Sequence, residues 1–236
     1  MRDAMTATAL KSPPAVAVKP VGSTIGRKIL MALTGFLLFG FVLAHMIGNL
    51  QVYLGPEAMN SYAEWLRHML HGAGLWIARS VLLVAAVVHI WCAVSLTLAS
   101  RAARPVAYRR WEADESSYAS RTMRWGGAII ALFVVYHLMH LTFGTAHPDF
   151  IPGDVYRNFV IGFQSVPVSV AYIVANLAVG LHIRHGVWSM LRTLGLSHPA
   201  YTRLAQLGAL AFAAVVTVGN LSFPIAVLTG LLKVVP

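Results

Sequence analysis

Five apolar runs, each about long enough to cross a bilayer, dictate what this chain can fold into. They are Ile29 to about Tyr53, Ser80 to Ser100, Trp125 to about Ala146, Val166 to Ile183 with an amphipathic continuation to Leu194, and Leu204 to Leu232. A helical span of the hydrocarbon core takes about 20 residues, and in lipid a segment must satisfy its own backbone hydrogen bonds, which an isolated helix does. The expected fold is an all-α membrane protein, a bundle of five transmembrane helices. With 11% charged residues and a mean hydropathy of +0.68, the chain has no room for a large soluble domain, so any catalytic head belongs to another chain. The single cysteine, Cys92, excludes an internal disulfide, a Cys-ligated iron–sulfur cluster, a Cys zinc site and a CxxCH haem attachment.

The first 28 residues hold Pro13, Pro14 and Pro20 with scattered basic residues and no apolar stretch of their own. They read as a mobile cytoplasmic arm before a transmembrane domain over 29–236, with no cleaved signal peptide. Orientation follows from where Lys and Arg fall. On one side lie Arg2, Lys11, Lys19, Arg27 and Lys28 of the arm, Arg101, Arg104, Arg109, Arg110, Arg121 and Arg124 between the second and third spans, and Arg184, Arg192 and Arg203 around the fourth connection. Only Arg67, Arg79, Arg157 and Lys233 fall on the other. The positive-inside rule then places the N-terminus in the cytoplasm and the C-terminus outside. Much of the formal net charge of +10 is thus a topology signal and calls for no nucleic acid. The outer connections have their own pattern. After the Gly55-Pro56 turn, Tyr62, Trp65, Leu66, Met69 and Leu70 recur at helical spacing, as in a short interfacial helix. His147-Pro148-Asp149 and Ile151-Pro152-Gly153-Asp154 are turn chemistry.

Histidines recur at membrane depth: His45 on the first span, His89 on the second, His137 and His140 on the third, His182 on the fourth, and His185 one turn further on. An unpartnered imidazole in hydrocarbon is costly, so an ionisable residue there points to function. The spans alternate in direction, which puts His45, His137 and His140 in the outer half and His89 and His182 in the inner half. Facing imidazoles at one level, on different helices of a bundle, suit a b-type haem held through both axial positions. Zinc or non-haem iron wants three or four ligands including carboxylate or thiolate, and no Asp or Glu lies within a span. The small residues Gly40, Ala44 and Gly48 form a stripe on the first helix, which suits close helix packing and also a flat macrocycle. Arg27, Lys28, Arg121, Arg124 and Arg192 near the inner helix ends are candidates for haem propionates.

The run from Leu43 to Tyr62, which contains Ala44-His45-Met46-Ile47-Gly48-Asn49-Leu50-Gln51 and Gly55-Pro56-Glu57, resembles the first helix and following loop of a known family. That family is the five-helix dihaem cytochrome b subunits (b558 type) of succinate:quinone oxidoreductases, succinate dehydrogenase and fumarate reductase. His89-Ile90-Trp91, Tyr136-His137-Leu138-Met139-His140 and Gly180-Leu181-His182-Ile183-Arg184-His185 are similar to its later ligand segments, and the resemblance spans roughly residues 25 to 225. It implies that His45 with His137 and His89 with His182 bind two b haems and are the metal ligands. His140 and His185 each stand three residues after a ligand position, on roughly the same face. Each is therefore an alternative to its neighbour or a partner for a propionate.

The resemblance further implies a membrane anchor for a flavoprotein subunit and an iron–sulfur subunit in the cytoplasmic (inner) membrane of a prokaryote. There it passes electrons to or from a membrane quinone, menaquinone or ubiquinone, with no succinate site on this chain. Membrane lipid is the remaining partner, and assembly of the whole complex into a higher oligomer stays open. Ser23, Thr24, Arg27 and Lys28 are candidates for a quinone pocket. Some relatives carry a proton-transferring carboxylate near the fourth ligand where this chain has Gly180. Other readings are a dihaem cytochrome b of hydrogenase or formate dehydrogenase, and a transporter with a histidine proton relay. The latter would usually carry acids in its spans or repeat symmetry, and neither is present.

Overall fold

The structure, a computed structural model, describes residues 22–103, 118–196 and 198–234, and for 118–122 the backbone alone. Arm residues 1–21 and Arg104, Arg109 and Arg110 of the second connection lie outside the described residues. Among the described residues seven α-helices occur in order: α1 (Thr24–Asn49), α2 (Pro56–His68), α3 (Ala73–Ala102), α4 (Tyr118–His137), α5 (Val155–Gln164), α6 (Val166–Thr193) and α7 (Thr202–Leu228). No strand occurs among the described residues. Helices α1, α3, α4, α6 and α7 are long and apolar enough to cross a membrane, as expected. Their outward faces carry Trp76, Leu83, Trp125, Leu132 and Leu204, all well exposed, a surface suited to lipid or to a partner subunit.

Several boundaries differ from the sequence reading for identifiable reasons. α1 starts at Thr24, inside the expected arm, because the Ser23 hydroxyl accepts from the Gly26 N–H at 3.0 Å and caps it. α3 starts seven residues before Ser80. Arg79, which ended the charge-free run, is carried within the helix with its guanidinium 5.2 Å over the Trp76 ring. α2 is the short helix expected after the first span, but it stops at His68, and Met69 and Leu70 fall in the turn after it. There Leu70, His71 and Gly72 all take positive φ.

The connection after α4 holds more than turns. Asp154 accepts from the Arg157 N–H at 3.1 Å and caps α5, whose Phe159, Val160 and Phe163 are buried. α5 packs against α2, α6 and α7, so one end of the bundle is closed by a core that includes Met46, Met59, Phe159, Phe163, Tyr172 and Phe223. Within the bundle α1 packs on α3, α4 on α6 and α6 on α7, while α1 also crosses α6. The pairs α1 with α4 and α3 with α6 are not among the closely packed ones. The space left by those two missing contacts is where the histidines stand.

Candidate functional site at two histidine levels

The site begins with His45 in the penultimate turn of α1, where its ring stacks on Phe41 at 5.3 Å and 21°. Across the gap to α4 it meets His137, with ring centroids 5.8 Å apart and planes at 85°. Further along the bundle, towards the start of α1, His89 of α3 meets His182 of α6 at 6.3 Å and 61°. Each pair bridges two helices that do not otherwise pack closely. No hydrogen bond joins the two rings of either pair. Two imidazoles that bind one metal from opposite sides, with metal–nitrogen bonds of about 2 Å, hold their centroids about 6 Å apart. Both pairs stand near that spacing.

Hydrogen bonding orients the rings. His89 Nδ1 lies 3.2 Å from the Met31 carbonyl oxygen and 3.2 Å from Thr34 Oγ1. A carbonyl only accepts, so Nδ1 carries the proton and donates, and the lone pair is left on Nε2. The Thr34 hydroxyl is turned to Leu30 O at 2.8 Å, which leaves its oxygen to accept from the same ring. His182 Nδ1 is buried with no hydrogen-bond partner among the described residues, so no protein group fixes which of its ring nitrogens carries the proton. The two pair spacings, with the His89 lone pair left on Nε2, fit a bis-histidine haem at each level.

At the other level the Tyr172 hydroxyl of α6 sits between two histidines, 3.2 Å from His137 Nδ1 and 2.9 Å from His140 Nδ1. His140 reaches the same hydroxyl as His137 but makes no ring contact with His45. Beyond His137 the helix widens into a π turn, Leu138–Thr142, closed by the Phe143 N–H on the Leu138 carbonyl at 2.8 Å. An i→i+5 turn changes the spacing of side chains around the axis. It sends His140 to complete burial, stacked between Tyr136 and His147. Its Nε2 and Cε1 lie so close to Gly162 that a methyl there would come within 2.7 Å of both. His147, read from sequence only as part of a turn, donates from Nε2 to the Asn158 carbonyl at 2.7 Å and accepts the Asp149 N–H on Nδ1. His185 is half-buried on α6, with no ring contact to His89.

The small-residue stripe on α1 is open at Gly40 and Ala44 and covered at Gly48 by the Tyr62 ring. Gly35 faces the His89 imidazole and Gly127 that of His182, as Gly162 faces His140. Gly180 faces α7 instead, and a Cβ there would fall 2.1 Å from Thr217 Oγ1. Arg27 lies with its guanidinium 5.8 Å over Trp91, and Arg192 is in the last turn of α6. The side chain of Arg121 is outside the described residues. Sequence reasoning missed Tyr172, Thr34 and Gly35. A tyrosine and a threonine inside apolar spans were the available signals, since a buried hydroxyl needs a partner.

A family model described as succinate dehydrogenase/fumarate reductase transmembrane subunit matches residues 99–218, half of the chain. The match takes in α4 to most of α7, with His137, His140, His182 and His185, and begins after His45 and His89. No curated protein and no solved structure matches the chain.

Proposed function

The chain belongs to the succinate dehydrogenase/fumarate reductase transmembrane subunits, and from that premise we propose that it is the dihaem cytochrome b anchor (b558 type) of a succinate:quinone oxidoreductase. It is a multi-pass membrane protein that associates with the catalytic subunits of that complex. In this reading His45 with His137 and His89 with His182 hold two b haems, which supply one-electron transfer between an iron–sulfur subunit and membrane quinone. The observation that carries it is the pair of imidazole contacts at 5.8 and 6.3 Å, each across a gap between helices.

The chain's own groups have definable tasks. Met31 and Thr34 keep the His89 proton on Nδ1 and its lone pair on Nε2. Gly35 and Gly127 leave room beside the inner rings. Exposed apolar faces hold the bundle in lipid, while α2 and α5 close the far end. Lys and Arg counts favour the arm and the α3–α4 connection on the cytoplasmic side of a prokaryotic inner membrane. A flavoprotein and an iron–sulfur subunit dock there, and succinate is handled by the flavoprotein alone. With glycine at position 180 and Thr217 over it, this chain supplies no acid at that place for proton transfer.

A pyridine haemochrome assay on the purified complex tests the reading. Two non-covalent b haems per copy of this chain are expected. A single haem, c-type haem, or no haem overturns it.

A further inference from the structure

The Tyr172 hydroxyl has one proton and stands between two Nδ1 atoms, so its hydrogen-bond direction is constrained from both sides. A neutral imidazole that gives Nε2 to a metal carries its proton on Nδ1. For His137 that proton has one nearby acceptor, the Tyr172 oxygen at 3.2 Å. The phenol proton must then go to the other neighbour, His140 Nδ1, at 2.9 Å. His140 is left with its own proton on Nε2, against Gly162, where there is no room for a further group.

We infer that Tyr172 is the positioning residue of the outer haem site: its oxygen accepts the His137 Nδ1 proton, and His140 serves by holding the phenol in that polarity. The inference rests on the bis-histidine reading above and deepens it. The phenol is fixed on all sides. Its ring makes edge contacts with Phe133 at 4.9 Å and Phe163 at 4.7 Å, and the residue is almost fully buried. Because His140 takes the phenol proton, Tyr172 is polarised towards accepting, as in any chain of hydrogen bonds. The two levels thus use different acceptors, a main-chain carbonyl and the Thr34 hydroxyl for His89 and a phenol alone for His137. Only at the second does a side-chain substitution remove the acceptor altogether.

An acceptor on Nδ1 raises the basicity of a ligand imidazole and favours the oxidised metal. Tyr172→Phe in the whole complex should therefore keep both haems and the ring packing while raising the midpoint potential of the outer haem alone. A tenfold loss of preference for the oxidised form corresponds to about 59 mV for one electron. His140→Phe should move the same haem in the same direction by less, and the double variant should match Tyr172→Phe, since both act through one bond. An unchanged outer haem in Tyr172→Phe, or additive shifts in the double variant, overturns the inference. If Tyr172→Phe does not assemble, redox-difference infrared spectroscopy of the unmodified complex with ring-labelled tyrosine decides the matter. A tyrosine band that shifts on reduction of the outer haem supports the inference, and no such band refutes it. A wild-type complex without two b haems fails the functional reading instead, before any variant is made.

Discussion

Replacing Gly35 by alanine should loosen the inner haem while leaving α1 as stable as before or more so. A Cβ at position 35 falls 3.3 Å from His89 Cε1 and 3.7 Å from Nδ1. Relaxed carbon contacts lie at about 3.5–4.0 Å, so the imidazole must retreat by about 0.2 to 0.7 Å. Its bonds to Met31 O and Thr34 Oγ1 are both already 3.2 Å, at the long end of the useful range, so the retreat breaks them. A lost hydrogen bond costs about 0.5–1.5 kcal/mol. At about 1.4 kcal/mol per factor of ten, haem retention at this level falls roughly two- to twelvefold. The same change favours the helix itself by up to about 1 kcal/mol, so a general loss of folding does not explain the effect. The assay is haem content with a redox titration of the purified complex, where the inner component should weaken and shift and the outer should stay. Equal changes in both haems, or none in either, would refute the reasoning.

The other ligand tests are coarser. His89→Ala should remove one haem and cut electron flow between succinate and quinone, leaving the flavoprotein's reaction with a soluble dye intact; retention of both haems with unchanged spectra rejects the inner pair. His137→Ala should lose the outer haem and His140→Ala keep it with a shifted potential, as haem content in the two variants will show, the reverse result moving the ligand to His140. Gly180→Glu should lower the thermal stability of the complex, because its Cβ meets Thr217 Oγ1 at 2.1 Å and overpacking of this kind costs about 1–3 kcal/mol. Thr217→Ala in the same chain should recover part of the loss in a melting experiment.

The five spans were legible because hydrophobic length is a coarse signal that survives errors of several residues. Each long helix overlaps its expected run, and the misplaced ends trace to single side chains such as the Ser23 cap and the Trp76–Arg79 contact. The contacts of His45 with His137 and of His89 with His182 follow the levels derived from alternating span direction. α5 was hidden because its ten residues are introduced by Pro152-Gly153-Asp154, which reads as a turn. Its cap is the last residue of that turn, so one aspartate carries both signals. Tyr172 and Gly35 were illegible for another reason. Each matters through a partner more than thirty residues away, and helical spacing along one segment carries no information about which neighbour will face it.

The wide turn at the end of α4 makes main-chain length, rather than side-chain identity, the arbiter between two histidines. A π turn is in effect a one-residue insertion into an α-helix. Deleting Leu138 or Met139 would put His140 two residues after His137 in a regular ladder instead of three residues after it in a wide one, about 200° from His137 around the axis. His140 would then leave its seat against Gly162, although every letter around it stayed the same. When this helix is compared position by position with one that lacks the extra residue, the frame slips at Leu138. Histidines that match in such a comparison will point in different directions, and roles transferred by matching letters will go to the wrong ring.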